Sequence, residues 1–425
     1  LTLTPAAWRR FLPFLVFYAT AGAACAQPQP ACAEIGGITS ELAEISGLKQ
    51  VRPIDCESIA RDQVRRFLEE HIKETVKPEE IRTQELVLKK FGLVPPDFDL
   101  KKTTVDLLSE QAAAFYDYRT KKLYVIGGAP EMAERTALVH ELAHALADQH
   151  FGLKKFIDRT DKDDDATLAR MAVMEGQATW LMTEYVARQT GRSLRDSPIL
   201  LQIMVRASEM AASQYPVFQR APLYLRETLV FPYTQGILFQ NAVVEKLGQA
   251  AFSSVFRDPP VSTQQVLHPG KYFAGVRPAK PPLPEAKSLQ GWRKLIEGDV
   301  GELDHSILLR QYVGKDEAAQ VAPEWRGGRF RLFESPREAR TALAYASEWS
   351  SPEAAARFFK LYQRVLQGKW KKLTVESESA DTLAGRGDDG YFRLRLEGAL
   401  VTSLEGLPSP APASKPSENA IHWGL

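Results

Sequence analysis

With 425 residues, the chain is long enough for two or three domains, each with a sizeable core. Apolar residues make up 44% and charged residues 25%, the ordinary balance of a globular protein. A formal net charge of +1 gives no electrostatic basis for nucleic acid or an anionic membrane as partner.

Residues 1–26 read as a signal peptide. Arg9 and Arg10 precede the apolar run "FLPFLVFYATAGAACA", which is too short to span a bilayer comfortably and ends in small residues. Ala24 and Ala26 take the −3 and −1 places of a cleavage site, so the mature chain is expected to start near Gln27, exported to the periplasm or beyond. No stable membrane span is expected after cleavage. A lipid anchor at Cys25 is the weaker alternative, because Gly22 stands where acylated precursors usually carry Leu. Cys32 and Cys56 then remain, an even pair suited to an oxidising compartment. A bridge between them would close a loop of about 25 residues and stabilise the fold by ~3–4 kcal/mol.

Residues 57–76 show apolar positions at helical spacing, with Ala60, Val64, Phe67, Leu68 and Ile72 on one side. In "AAAFYDYRTKKLYVIGGAP", two β-rich runs around Ala113–Tyr116 and Leu123–Ile126 flank the polar turn Asp117–Lys122. Gly127 and Gly128 break the chain, Pro130 suits a first helical position, and Gly152 supplies a stop, so a helix of about twenty residues is expected between them. A second helix follows, capped by Asp164 or Asp165 and stopped near Gly191. The acidic run before it lacks the Gly and distal Glu of a calcium loop and reads as a solvated helix entry. More helices run from about Pro198 to Phe256. Residues 276–284, "VRPAKPPLP", read as a linker. Residues 285–407 read as a small α+β accessory module, and 408–425 as a disordered tail.

Within the first long helix, "LVHELAHALADQH" carries His140, Glu141 and His144 as H-E-x-x-H. Residues four apart project from one helix face, so the two imidazoles can share a zinc ion. Glu141, about 100° around from His140, flanks that ion and can take a proton from water without being a ligand. Three residues compete for the third ligand position. His150 falls where metzincins carry theirs, but Ala147 replaces the glycine that turns their chain back, and a continuing helix points His150 about 240° away from His144. Asp148 stays on the ligand face one turn along and suits contact with a ligand imidazole. Glu175, on the second helix, sits amid Leu168, Met171, Ala172, Ala178, Thr179, Met182 and Val186, where an ionised carboxylate needs a cation. Glu175 is the expected ligand, and His150 the alternative. An oxyanion donor is also needed, with His268 in "LHPGKY" ahead of Tyr272 and Tyr233, because a Pro-flanked loop can present it to a cleft.

HELAH on one helix with a Glu in "MEGQAT" on a following one resembles the gluzincin branch of the zincin metallopeptidases. More narrowly, "FYDYRTKKLYV", "HELAHALADQHF", "MEGQAT", "RETLVFPYTQG" and "STQQVLHPGKY" resemble a group of exported bacterial and archaeal metalloproteases of undetermined substrate. The resemblance covers roughly residues 50–275. It implies a zincin-like catalytic domain over 27–275, with a small sheet, the HExxH helix and a helical extension. It further implies Zn²⁺ held by His140, His144 and Glu175, Glu141 as base, and a protein or peptide substrate. It also implies that the strand Leu123–Ile126 lines the cleft and pairs with extended substrate. Related sequences often read E-G-D-A where this chain has Glu175-Gly176-Gln177-Ala178. The expected fold is thus α+β and the expected function an exported zinc-dependent hydrolase, the alternative being a non-catalytic binding protein on the same scaffold.

Overall fold

The computed structural model describes residues 31–75, 77–111, 113–127, 131–160 and 163–409. The expected signal peptide, Cys25, Gly128, Pro130 and all but the first two residues of the expected tail lie outside them. The chain is an α+β protein, as the residue patterns predicted.

Helix α1 (Ile35–Ser46) ends at Gly47, whose φ of 75° supplies the left-handed cap. Strand β1 (Asp55–Ile59) follows. The helix expected from residue 57 begins only at α2 (Arg61–Thr75). Asp55–Ile59 pair instead in parallel with a later strand, and Cys56 among them is bridged to Cys32. Helices α3 (Pro78–Phe91) and α4 (Leu100–Gln111) lead to strands β2 (Ala114–Asp117) and β3 (Lys122–Ile126).

The order of this small sheet is β1-β3-β2, with β2 antiparallel to β3. Both edges of β3 are therefore occupied, which overturns the expectation that Leu123–Ile126 offers an edge to substrate. At the β2–β3 turn, Asp117 accepts from the Arg119 N–H at 2.9 Å and the Thr120 hydroxyl at 2.8 Å. Lys121 then adopts a φ of 62°, the left-handed conformation that closes such a turn.

Helix α5 (Glu131–Phe151) carries the H-E-x-x-H residues and stops at Gly152, φ 65°. After α6 (Leu153–Asp158) comes α7 (Asp164–Arg188). Its cap is Asp163, whose side chain accepts from Ala166 N–H at 2.8 Å, one residue earlier than expected. Helix α7 is buried over nearly its whole circumference, as befits a helix apolar on most sides. Then follow α8 (Pro198–Ala212), α9 (Pro216–Arg220), α10 (Leu223–Leu247), α11 (Ala251–Arg257), α12 (Thr263–Leu267) and α13 (Pro269–Phe273).

Helices α7 and α10 pack backbone to backbone. A Cβ on Gly176 would lie 2.2 Å from the Gly236 carbonyl, and one on Gly236 would lie 2.4 Å from the Ala172 carbonyl oxygen. Only two glycines permit that approach.

Residues 276–284 hold no regular structure, yet they are tied down. Ala279 N–H donates to the Arg326 carbonyl at 2.7 Å, and Gln265 donates to the Val276 carbonyl at 2.7 Å. They form a packed strap leading to β4 (Arg293–Asp299), α14 (Glu302–Tyr312), α15 (Lys315–Val321), β5 (Trp325–Glu334), β6 (Thr341–Trp349), α16 (Pro352–Lys369), β7 (Thr374–Glu378), β8 (Thr382–Gly387), β9 (Gly390–Glu397) and β10 (Leu400–Leu407). These strands make a seven-stranded antiparallel sheet in the order β4-β5-β6-β10-β9-β8-β7. Helix α16 packs across it, stacking Phe358 on Trp349 and Tyr362 on Tyr345.

One hydrophobic cluster runs from Ile38 to Val401 through both sheets. Phe91 of α3 meets Phe330 and Tyr345 edge-on, with ring centres 5.5 and 5.6 Å away. Among the described residues no helix is long and apolar enough to cross a membrane.

A buried candidate metal centre

Helix α5 presents His140 and His144 on one face, and α7 brings Glu175 against it. His140 Nε2 lies 3.1 Å from Glu175 Oε2 and 3.1 Å from His144 Nε2, and His144 Nε2 lies 3.2 Å from the same carboxylate oxygen. The three atoms form a near-equilateral triangle. If both imidazoles donate to Glu175, their N–H groups face each other; if either does not, lone pairs do. A cation removes that conflict. Donors at about 2.0–2.1 Å from a tetrahedral ion stand about 3.3–3.4 Å apart, close to the separations found.

Burial raises what is at stake. His140 is 1% exposed, His144 4%, and Glu141 and Glu175 not at all. His140 Nδ1, Glu141 Oε1 and Glu175 Oε1 are buried without a hydrogen-bond partner among the described residues. Burial alone pushes the Glu175 carboxyl up, but the His144 charge and the hydrogen bonds from both imidazoles hold it down at about 2. Desolvation lowers the pKa of His140; His144 is held above its ordinary value by Glu175, against the same desolvation.

His140, Glu141 and His144 each offer a donor atom, all within 4.8 Å of one another, so this buried group can hold a metal ion. Glu141 stands apart from Glu175 in its commitments. Its Oε2 accepts the backbone N–H of Tyr116 on β2 at 2.7 Å, and burial pushes its carboxyl up to about 8. Of the two carboxylates, Glu175 completes the triangle, and Glu141 flanks it with one oxygen anchored to the sheet.

The other candidates separate clearly. His150 is exposed and its Nε2 lies 2.8 Å from the Lys49 carbonyl, as a continuing helix requires. Asp148 does not bond an imidazole; it accepts from the Tyr116 hydroxyl at 2.9 Å, from Lys121 at 2.7 Å and from the Leu153 N–H at 2.8 Å. It thereby locks the β2–β3 turn to the end of α5. His268 is a correction: its Nε2 lies 2.7 Å from Glu302 Oε1 at the start of α14, and no hydrogen bond or ring contact ties it to the triangle. The loop that was expected to present it to a cleft instead anchors the C-terminal sheet. Tyr272 donates its hydroxyl to the Asp258 carbonyl at 2.8 Å. Tyr233 is the candidate beside the triangle, its ring 6.1 Å from that of His140 and nearly parallel.

One contributor escaped the sequence reasoning. The Tyr116 N–H on Glu141 is a backbone donor, invisible to residue identity; the only hint was "FYDY" standing one strand before the motif helix. Thr179, one turn beyond Glu175, has a buried hydroxyl with no partner among the described residues. Gln177 projects about 200° from Glu175 and is buried, its amide without a partner among the described residues, so it does not reach the triangle from that helix face.

The architecture and site thus define an α+β protein with a deeply buried group of histidines and glutamates capable of binding a metal. A family model described as a domain of unknown function, DUF8575, matches residues 242–415, from within α10 through the seven-stranded sheet. No curated protein and no solved structure matches the chain.

Proposed function

We propose that the chain is an exported zinc-dependent hydrolase, a metallopeptidase of the gluzincin-like zincin type, with His140, His144 and Glu175 as zinc ligands. The observation that carries the reading is the triangle of two Nε2 atoms and one carboxylate oxygen at 3.1–3.2 Å. Two imidazoles and a carboxylate are the donor set of catalytic zinc, which when bound supplies Lewis acidity and lowers the pKa of water towards ~7. Glu141 takes the proton of the attacking water at Oε1 while Tyr116 N–H fixes its Oε2, then returns that proton to the leaving nitrogen. The Tyr233 ring walls the site beside His140 and is the best-placed candidate to face the substrate carbonyl. The Cys32–Cys56 disulfide supports an oxidising compartment, hence export.

Two measurements test this reading. Purified protein should contain close to one zinc per chain, and Glu141→Gln should keep the metal while losing hydrolysis of a peptide library. Full activity in Glu141→Gln would remove the role given to that carboxylate.

One observation favours a second reading, a non-catalytic binding protein on the same scaffold: the cluster is at most 4% exposed at every member. That protein would retain zinc and bind an envelope partner while cleaving nothing in the library.

A further inference from the structure

A cavity of 490 Å³ lies between the helical region and the seven-stranded sheet. Where α7 lines it, through Asp165, Ala166 and Arg170, the helix is still five to ten residues short of Glu175, about 7–15 Å along the axis. It is therefore separate from the metal centre, and its volume is that of a small-molecule pocket, typically about 300–1,000 Å³.

Its lining holds four cations. Arg159 and Arg170 come from the α6–α7 segment, and Arg277 and Lys280 from the strap. Among the described residues none of the four sits in a close ion pair, although Asp163 acts on Arg170 and Lys280 on Asp299 through space. Arg170 is half-buried over the Phe156 ring, 4.9 Å from its centre, and gives a hydrogen bond only to the Phe156 carbonyl. The acids nearby are already engaged. Asp158 pairs with Lys154, and Asp163 caps α7. Asp165 accepts the Thr263 hydroxyl at 2.5 Å and the Thr263 N–H at 3.2 Å; burial, with Asp163 and Asp304 close by, holds its carboxyl well above the usual range. Asp299 remains, pushed up to about 6 by burial.

A second feature points the same way. Trp325 is 2% exposed, and its indole N–H has no acceptor among the described residues. That N–H lies 3.2 Å from where a Cβ on Gly328 would stand, and both residues line the cavity. A buried donor left unpaired is costly, so an acceptor supplied from outside is favoured there.

We propose that this cavity binds a small ligand bearing an oxyanion, carboxylate or phosphate, held by Arg170, Arg277 and the Trp325 indole N–H. Arg159 and Lys280 stand at its exposed rim and attract the same charge.

The test is calorimetric titration of the full chain with inorganic phosphate and, separately, with succinate. Sodium chloride at matched ionic strength and ethanolamine serve as controls. At least one anion should saturate, with affinity about tenfold weaker in Arg277→Gln and in Trp325→Phe, the loss typical of one charge-assisted hydrogen bond. Arg277 is exposed, so its variant folds; Trp325→Phe is checked by circular dichroism, and Lys280→Gln is the substitute if it fails. Tighter phosphate binding identifies a phosphate-bearing ligand, tighter succinate binding a carboxylate. Absence of saturation by both anions, or saturation that neither Arg277→Gln nor the accompanying variant weakens, overturns the proposal. Binding rather than hydrolysis is read, so failure here is distinct from failure of the metal centre.

Discussion

Gly176 and Gly236 touch backbone to backbone, and that contact sets Glu175 and Tyr233, their near neighbours in sequence, against His140. Gly236→Ala should gain about 1 kcal/mol of helix propensity yet lose more, because its methyl would sit 2.4 Å from the Ala172 carbonyl oxygen. A net destabilisation of about 1–3 kcal/mol is expected, with weaker zinc retention, measured by denaturant unfolding and metal analysis of the same preparation. A variant as stable and as zinc-loaded as the parent would show that the helices do not need their present spacing.

Glu175→Ala should release the metal, whereas His150→Ala should keep it. Elemental analysis after dialysis against a weak chelator separates them. Retention in the first and loss in the second would move the third ligand to the metzincin position.

His305 gives the C-terminal sheet a defined acid weakness. Its ring is fully buried, with Nδ1 2.7 Å from the Gly301 carbonyl and Nε2 2.5 Å from the Tyr345 hydroxyl, so it donates to the first and accepts from the second as the neutral ring. Burial lowers its pKa to about 4 from an ordinary 6.5. Below pH 6.5 the unfolded chain takes up a proton that the folded chain refuses. Stability from this residue is therefore complete above that pH and declines as pH falls towards about 4, by roughly 3 kcal/mol in all. Urea midpoints measured across that interval should show the decline, and a His305→Asn variant, less stable throughout, should show a shallower one.

Reducing the Cys32–Cys56 bridge, which spans 24 positions, should cost about 3–4 kcal/mol by the loop-entropy account. Because Cys56 lies in β1, an edge strand, hydrogen exchange should quicken at β1 while β2 and β3 stay protected. Uniform exchange in both states would show that the bridge does not hold that strand.

Residue spacing revealed what repeats along a helix and missed what depends on a distant partner. His140, His144 and Glu175 were legible because two share a helix face and the third is a lone carboxylate on an apolar one. The strand β1 was not, since "DCESI" carries no alternation of its own and becomes a strand only by pairing with β3. His268 was misread for the same reason: its loop suggested access, but Glu302, 34 residues later, claims the ring. Tyr116's role rests on its backbone alone, which no side-chain pattern encodes.

The apolar cluster joining the two sheets crosses the edge of the stretch matching DUF8575. A cut in the 276–284 strap would bare Phe91 on one fragment and Phe330 and Tyr345 on the other. Each half would then expose rings that the other covers, and the two, mixed after separate expression, are expected to reassemble.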